Sequence, residues 1–522
     1  MIDPKEKNSL SPEKEEQTST IFSNSSVQVA KKSSPGKKKA LKFLAAGLAL
    51  LILAGTAAVL VITAPEPEPT SEVSSDETIT FYEKDRTNIK EVVVTHREQE
   101  SFTIYQKPAG GFTIESLKEF DAQTNRYTGL TNALAKLSAR KLVTENPTNL
   151  GDYGLADPAT TLKVTFDDGS GYTLLIGNLS STVSDGYFMK FADQDAIYIS
   201  STAIHTNACH PIEDYVSTTI IPAYDDGSGS ENSDVSSVEY LNITLGGSKR
   251  KDPIVITPTP EEETENNILA SVYKITSPKE AYVNSDVLTK LTDNIFSIYA
   301  TGIAYLHPTD AQLAECGLDN PTSTLSVKYK GGSHKILVGK TFGESCYVMR
   351  EGVDLIYVAA TSSFVWLDYQ LEQLHTPFLY AMFISDLDRL KITKDDRVWD
   401  FKLHHDYYVD ENDREQDDIT VTESGKAVDV ELFKDFYQVL ITQRADELAG
   451  EVTQKEPVLE LQLTPINTKK DPIHVRFLVT GARTRGVEVN GVLTFQTTAS
   501  YVDNLLENLE KLMRGEEIVI DS

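Results

Sequence analysis

Tyr153–Phe166 reads YGLADPATTLKVTF, and Cys316–Tyr329 reads CGLDNPTSTLSVKY. Gly154, Leu155, Pro158, Thr161, Leu162 and Val164 recur as Gly317, Leu318, Pro321, Thr324, Leu325 and Val327, so one structural unit occurs at least twice. The likeness continues downstream. LLIG ending at Gly177 answers ILVG ending at Gly339, Tyr187 and Met189 answer Tyr347 and Met349, and AIYIS at 196–200 answers LIYVA at 355–359. The GLxxP motif has a sufficient structural rationale. Gly154 and Gly317 supply positive φ, Leu155 and Leu318 plug the core, and Asp157-Pro158 and Asn320-Pro321 turn the chain into the next strand.

Reading outward gives the whole unit. Alternating runs Ile89–Thr95 and Ser101–Tyr105 predict a hairpin, followed by a short strand at Phe112–Ile114 and a helix with Leu130, Leu134 and Leu137 on one face. Leu162–Phe166 and Tyr172–Ile176 then pair across Asp168-Gly169. A hairpin of Tyr187–Phe191 with Ala196–Ile199 leads to a closing helix near Ser201. In the second copy Val238–Leu245, Ile254–Thr257 and Val272–Thr276 repeat that order, Leu288, Leu291, Ile295 and Ile298 form the helix stripe, and Phe364, Trp366 and Leu367 sit in a closing helix. A third, diverged copy follows by pattern alone, without GLxxP. Its first hairpin is Arg389–Thr393 with Trp399–Leu403, its short strand Ile419–Thr422 and its helix stripe Phe433, Phe436, Tyr437 and Leu440. Val458–Leu463 and Ile473–Val479 come next, Asn490-Gly491 gives a type I′ hairpin signal, and a helix over Tyr501–Met513 closes the unit.

The expectation is an α+β protein: one N-terminal transmembrane helix, then three tandem repeats of an antiparallel-sheet-plus-helix unit. The divisions are a disordered cytoplasmic tail at 1–42, an anchor at 43–63, a Pro/Glu-rich stalk at 64–84, repeat units at 85–220, 237–383 and 384–515, and a linker at 221–236. The anchor is Phe43–Thr63, 21 uncharged residues, about 31 Å as a helix. Lys31, Lys32, Lys37, Lys38, Lys39 and Lys42 precede it, and Pro65, Glu66, Pro67, Glu68 and Pro69 follow. That asymmetry predicts a single-pass protein of the cell membrane, with the N-terminus cytoplasmic and the bulk of the chain extracytoplasmic. The membrane, through residues 43–63, is thus one expected partner.

The 522-residue chain carries a net charge of −29. Residues 1–64 hold nine lysines and five acids, so the remainder stands at −33. A surface that acidic repels nucleic acid and draws cations or a basic partner. Three cysteines, Cys209, Cys316 and Cys346, make no disulfide framework, although Cys316 and Cys346 could pair within one unit.

The GLxxP turn after a Leu-rich helix, followed by a strand, LxIG, a Tyr and IYxV, resembles a bacterial family known only as domain of unknown function 4340. The resemblance spans roughly residues 85 to 380. It implies a membrane-anchored extracytoplasmic protein, with an envelope protein or an ABC-type transport system as possible partner, and it carries no catalytic residues.

No motif assigns a catalytic, cofactor-binding or metal-binding residue. Gly339-Lys340-Thr341 resembles the end of a phosphate-binding loop, but His334 stands where that loop needs its first Gly. His205 and Cys209, with His210 and Asp214, have helical i, i+4 spacing suited to a metal, yet no second ligand cluster accompanies them. His404-His405-Asp406 reads as the start of a solvated acidic loop. Pro258–Asn266 and Asp410–Asp418 read as polar loops without calcium-loop spacing. Tyr187, Tyr198, Tyr347 and Tyr357 fall on strands, with hydroxyls expected at the surface. The function these readings favour is a non-enzymatic binding or scaffolding component of the cell envelope, accessory to transport. Wall or polysaccharide binding is the alternative, and an envelope hydrolase with a site between copies is a third reading.

Overall fold

Local turn chemistry places the strands. Gly154 and Gly317 both lie at φ 68° in the left-handed region, each closing a helical turn before a strand. Asn490 and Gly491, at φ 50° and 84°, form the expected hairpin turn. The computed structural model describes residues 78–181, 186–227, 234–266, 268–409 and 415–519.

The first sheet is built from β1 (Ile79–Thr80), β2 (Ile89–His96), β3 (Phe102–Gln106), β4 (Phe112–Ile114), β5 (Ser138–Thr144), β6 (Thr160–Phe166), β7 (Gly171–Leu179), β8 (Tyr187–Phe191) and β9 (Ile197–Ser200). Helix α1 (Thr124–Ala135) precedes β5, and α2 (Thr202–Asn207) follows β9, before β10 (Thr219–Ile221). The second sheet uses β11 (Tyr240–Gly246), β12 (Ile254–Pro258), β13 (Tyr273–Ser277), β14 (Ala281–Tyr282), β16 (Gly302–Leu306), β17 (Ser323–Tyr329), β18 (Gly332–Phe342), β19 (Ser345–Arg350) and β20 (Leu355–Ala360), while β15 (Ile298–Tyr299) pairs with β10. Its helices are α3 (Glu261–Asn266), α4 (Ser285–Thr292), α5 (Asp310–Cys316) and α6 (Leu371–Leu374). The third sheet uses β21 (Leu387–Lys394), β22 (Arg397–Val409), β23 (Glu415–Glu423), β24 (Lys426–Val428), β25 (Glu447–Leu448), β26 (Gln454–Pro465), β27 (Ile473–Val479), β28 (Thr484–Val489) and β29 (Val492–Thr498), with α7 (Val430–Ile441) and α8 (Ala499–Arg514).

The spatial orders are β1-β5-β9-β8-β7-β6-β2-β3-β4, β16-β20-β19-β18-β17-β11-β12-β13-β14 and β25-β29-β28-β27-β26-β21-β22-β23-β24. Superposing the orders matches eight positions, from β5, β16 and β25 at one end to β4, β13 and β23 at the other. Only the ninth strand moves: β1 flanks β5, whereas β14 and β24 flank the opposite edge. The strand order therefore carries the third copy, which sequence identity does not. All pairings are antiparallel, and residues Glu77–Ser522 form one compact unit.

Strands dominate, which corrects the α+β expectation. Leu288 and Leu291 lie on a helix, but it stops at Thr292, and Ile298 belongs to β15. The closing helix expected around Phe364–Leu367 reduces to the four residues of α6. The strands β5 and β16 occupy segments the apolar pattern left unassigned. Conversely, Glu261–Asn266 is helical rather than a loop.

The anchored, single-pass placement is also corrected. No helix among the described residues is long and apolar enough to cross a membrane. The longest, α8, has 16 residues and carries Asp503, Glu507, Glu510 and Lys511. At about 24 Å it is shorter than a bilayer core and amphipathic besides. Phe43–Thr63, the tail before it and the stalk up to residue 77 lie outside the described residues, while residues 78–84, expected as the end of the stalk, contribute β1 to the first sheet.

The main core joins the inner faces of all three sheets, including Leu130, Leu134, Leu291, Trp366, Phe433, Phe436 and Phe495. Leu318 does not reach it. It packs with Cys316 and Ile356 in a small separate cluster, beside Leu337, Tyr347 and Met349. The GLxxP turn thus covers the outer face of the second sheet. Gly339 has a matching role, because a Cβ there would overlap the carbonyl of Cys316; Gly177 stands in the same relation to the carbonyl of Tyr153. Lys340 Nζ meets the carbonyls of Ala314 and Glu315 at the end of α5, so Gly339-Lys340 closes a helix rather than cradling phosphate.

Candidate functional site

Of the polar residues singled out in the first unit, His210 and Asp214 come together as a structural tie, whereas His205 and Cys209 do not meet. His96, at the end of β2, places Nδ1 3.0 Å from Thr160 Oγ1, and Nε2 3.1 Å from the carbonyl of His210. Thr160 Oγ1 is 3.6 Å from Cys209 Sγ. Burial holds the His96 imidazole below its ordinary value. Burial also pushes the Cys209 thiol up, and bonds from Thr160 and Tyr187 offset this only in part. A nucleophilic or metal-binding cysteine needs the thiolate, which this setting disfavours. His205 packs at a tilt against Tyr187 instead of turning to Cys209. His210 Nδ1 meets Asp214 Oδ2 at 2.6 Å, while Nε2 faces Arg126 at 2.8 Å and the carbonyl of Thr206 at 2.7 Å.

The second unit replaces the His96 tie with Arg250. Its guanidinium donates to the carbonyls of Gly246, Trp366, Leu367 and Tyr369 and to Ser323 Oγ, the counterpart of Thr160. In both units a buried cationic or imidazole group therefore latches the segment after the last strand onto the sheet. Sequence reasoning missed this, because Lys249-Arg250-Lys251 reads as an ordinary solvated turn.

Among the described residues no group of three or more His, Cys, Asp or Glu side chains could hold a metal ion. Cys316 and Cys346 are free and buried, with the Cys346 thiol pushed up to about 11 by burial. Tyr357 is buried, and Tyr198 packs edge-to-face on Phe81, so these rings serve packing.

The places where units meet are more open. At the first seam β10 pairs with β15, the Arg350 guanidinium meets the carbonyl of Ile220, and His307 lies between Asp354 Oδ2 at 3.0 Å and Glu119 Oε1 at 3.5 Å. The hydrogen bond that the His307 ring donates to Asp354, with the charge of Glu119, raises the His307 imidazole above its ordinary value despite some desolvation. At the second seam His375 is buried, its Nε2 2.7 Å from the carbonyl of Ala445 and its ring stacked on Phe495 at 3.6 Å. Thr376 N–H donates to the Tyr282 carbonyl and Asn284 N–H to the Leu374 carbonyl, both at 2.8 Å.

Beside this second seam opens a recess of about 230 Å³. Ala281 and Tyr282 of β14 form one wall, Phe378 and Leu379 line it further, and Val487, Val489, Val492 and Phe495 of the β28–β29 hairpin form the other. Val492 is 59% exposed. At the rim Lys274 Nζ bridges Glu263 at 2.7 Å and Glu280 at 2.6 Å, so the nearest charges are paired. The recess offers apolar contact with a polar lip and no reactive group.

Comparison with protein families gives two matches to one family, described as domain of unknown function (DUF4340), over residues 113–298 and 274–458. The chain belongs to the DUF4340 family. Together the matches span about two thirds of the sequence. They begin in β4 and β13, which occupy equivalent sheet positions, and each DUF4340 match runs across one seam into the following sheet. No curated protein and no solved structure matches the chain.

Proposed function

We propose that this DUF4340 chain is a non-catalytic scaffold that holds a partner protein at the seam between its second and third sheets. The open, apolar-walled recess there is the observation that carries the reading, since partially exposed valines beside a fixed seam are what a docking side chain fills. The family matches support it, because each spans a seam rather than a single sheet. The non-catalytic part rests on groups already committed elsewhere: His96, His210 and His375 are tied to carbonyls, and burial pushes all three thiols up. A component of an ABC-type transport system is the partner class implied by the family resemblance.

The test is site-specific photo-cross-linking in the native host, with benzoylphenylalanine at Val492 and, as control, at Leu241 on β11, which is also exposed. A discrete adduct from Val492 and none from Leu241 supports the reading. Adducts absent from both positions, or equal at both, overturn it.

A further inference from the structure

The three sheets share strand order, but one hairpin is out of proportion. β3 and β12 have five residues each, whereas their counterpart β22 has 13. β21 pairs with β22 only from Arg397 to Lys402, so the rest of β22 continues as a two-stranded arm with β23. Along β22 the side facing the core is set by Trp399, Phe401 and Leu403, all buried. Period-two alternation carries that same face through His405 to Tyr407 and Val409. There the cover ends, and Tyr407 and Val409 are 61% and 62% exposed.

The arm is built, not merely long. His405 is buried at its root, with Nδ1 2.8 Å from Asp417 Oδ2 on β23 and Nε2 2.9 Å from the carbonyl of Leu387 on β21. Its ring stacks with Tyr407 at 5.8 Å, and Tyr407 Oη reaches the carbonyl of Ser385. Asp417 lies directly across from Tyr407 on the same face, and its Oδ1 is buried without a hydrogen-bond partner. Asp386 adds a second carboxylate near the tyrosine. An apolar stripe thus runs beside two carboxylates.

We infer that the β22–β23 hairpin is a docking arm for a partner protein segment that combines cationic with apolar side chains. Charge complementarity selects this occupant: Tyr407 and Val409 take aliphatic groups, while the negative charge of Asp417 and Asp386 beside them draws Lys or Arg. Anionic partners are repelled by the same carboxylates. The inference does not depend on the seam recess, which lies on other elements.

The face specificity makes it testable. A fluorescein-labelled nine-residue peptide of alternating Arg and Leu is titrated into the full chain by anisotropy, with a Glu/Leu peptide as counterpart. The Arg/Leu peptide binds and the Glu/Leu peptide does not. Y407S/V409S, which removes the proposed face and no charge, weakens binding about tenfold or more. Y408S, on the opposite face and 45% exposed, changes it less than about twofold. Far-ultraviolet circular dichroism and the melting temperature confirm that each variant folds. Equal effects of the two variants, no effect of Y407S/V409S, or no binding of the Arg/Leu peptide would overturn the inference, since binding would then be spread over the acidic surface or absent.

Discussion

His375→Ala tests whether the second seam is held by one side chain. The imidazole leaves three things behind when it is removed. The Ala445 carbonyl loses its 2.7 Å partner, and a buried acceptor left unpaired costs about 1–3 kcal/mol. The stack on Phe495 goes as well. Its rings are nearly parallel, at 5°, the less favoured arrangement, so the low end of the usual 0.5–1.5 kcal/mol applies, about 0.5. A cavity beside Phe495 adds to both. Together these come to about 3 kcal/mol, which corresponds to about a hundredfold in a local opening equilibrium. Hydrogen–deuterium exchange of the full chain reads it directly. The amide of Ala445, bonded across the seam to Pro377, and those of Thr376 and Asn284, which tie the His375 segment to the β14 segment within the second unit, should exchange about a hundredfold faster, while β6 and β7 of the first sheet keep their protection. Unchanged exchange at these three amides would refute the assignment of His375 as the tie. So would equal acceleration in the first sheet, which would mean that the whole body unfolds together.

Gly339→Ala forces a methyl into the Cys316 carbonyl and should destabilise the second unit by about 3 kcal/mol, read as a lower urea midpoint at unchanged slope; an unchanged midpoint would show that the GLxxP turn can move away freely. His307 should give the first seam a pH dependence. Its folded value is raised by Asp354 and Glu119, so its stabilisation is full below the ordinary imidazole value and fades as pH rises through the raised one. The melting temperature of the wild type should therefore exceed that of H307Q at about pH 5.5 and match it near pH 9, by an amount within about 1 kcal/mol because the ring is half exposed. A pH-independent difference would count against the ion pair.

Much of the fold could be read from local chemistry. Gly154, Gly317, Asn490 and Gly491 announce positive φ by residue type, and the turns fall where they stand. The α7 stripe of Phe433, Phe436, Tyr437 and Leu440 is apolar at helical spacing and is buried as read. Hidden from that reading are elements defined by distant partners. β5, Ser138–Thr144, carries Arg140 and Lys141 and mixes buried with exposed positions irregularly, so no period marks it; its identity comes from pairing with β9 and β1. β16 has no fully buried residue and owes its strand to β20. The Arg250 latch closes on carbonyls more than 110 positions away, which no local pattern can announce.

The docking arm marks the sharpest contrast between composition and periodicity. Its sequence, Asp406 through Asp418, is dense in carboxylates, and by composition it reads as a solvated loop. Yet the alternation that identifies Trp399, Phe401 and Leu403 as a core face does not stop at Leu403; it continues at the same spacing through His405, Tyr407 and Val409. A loop has no reason to keep that register, because a single-residue slip would turn every one of these side chains to the other face. The carboxylates act on the same geometry. Placed on the strand opposite the apolar stripe, Asp417 keeps an exposed hydrophobic arm from pairing with a copy of itself, since two such arms would bring like charges together. The feature that hides the arm from a compositional reading is the one that narrows what can bind it: a partner must bring positive charge to the carboxylates before its apolar side chains can reach Tyr407 and Val409.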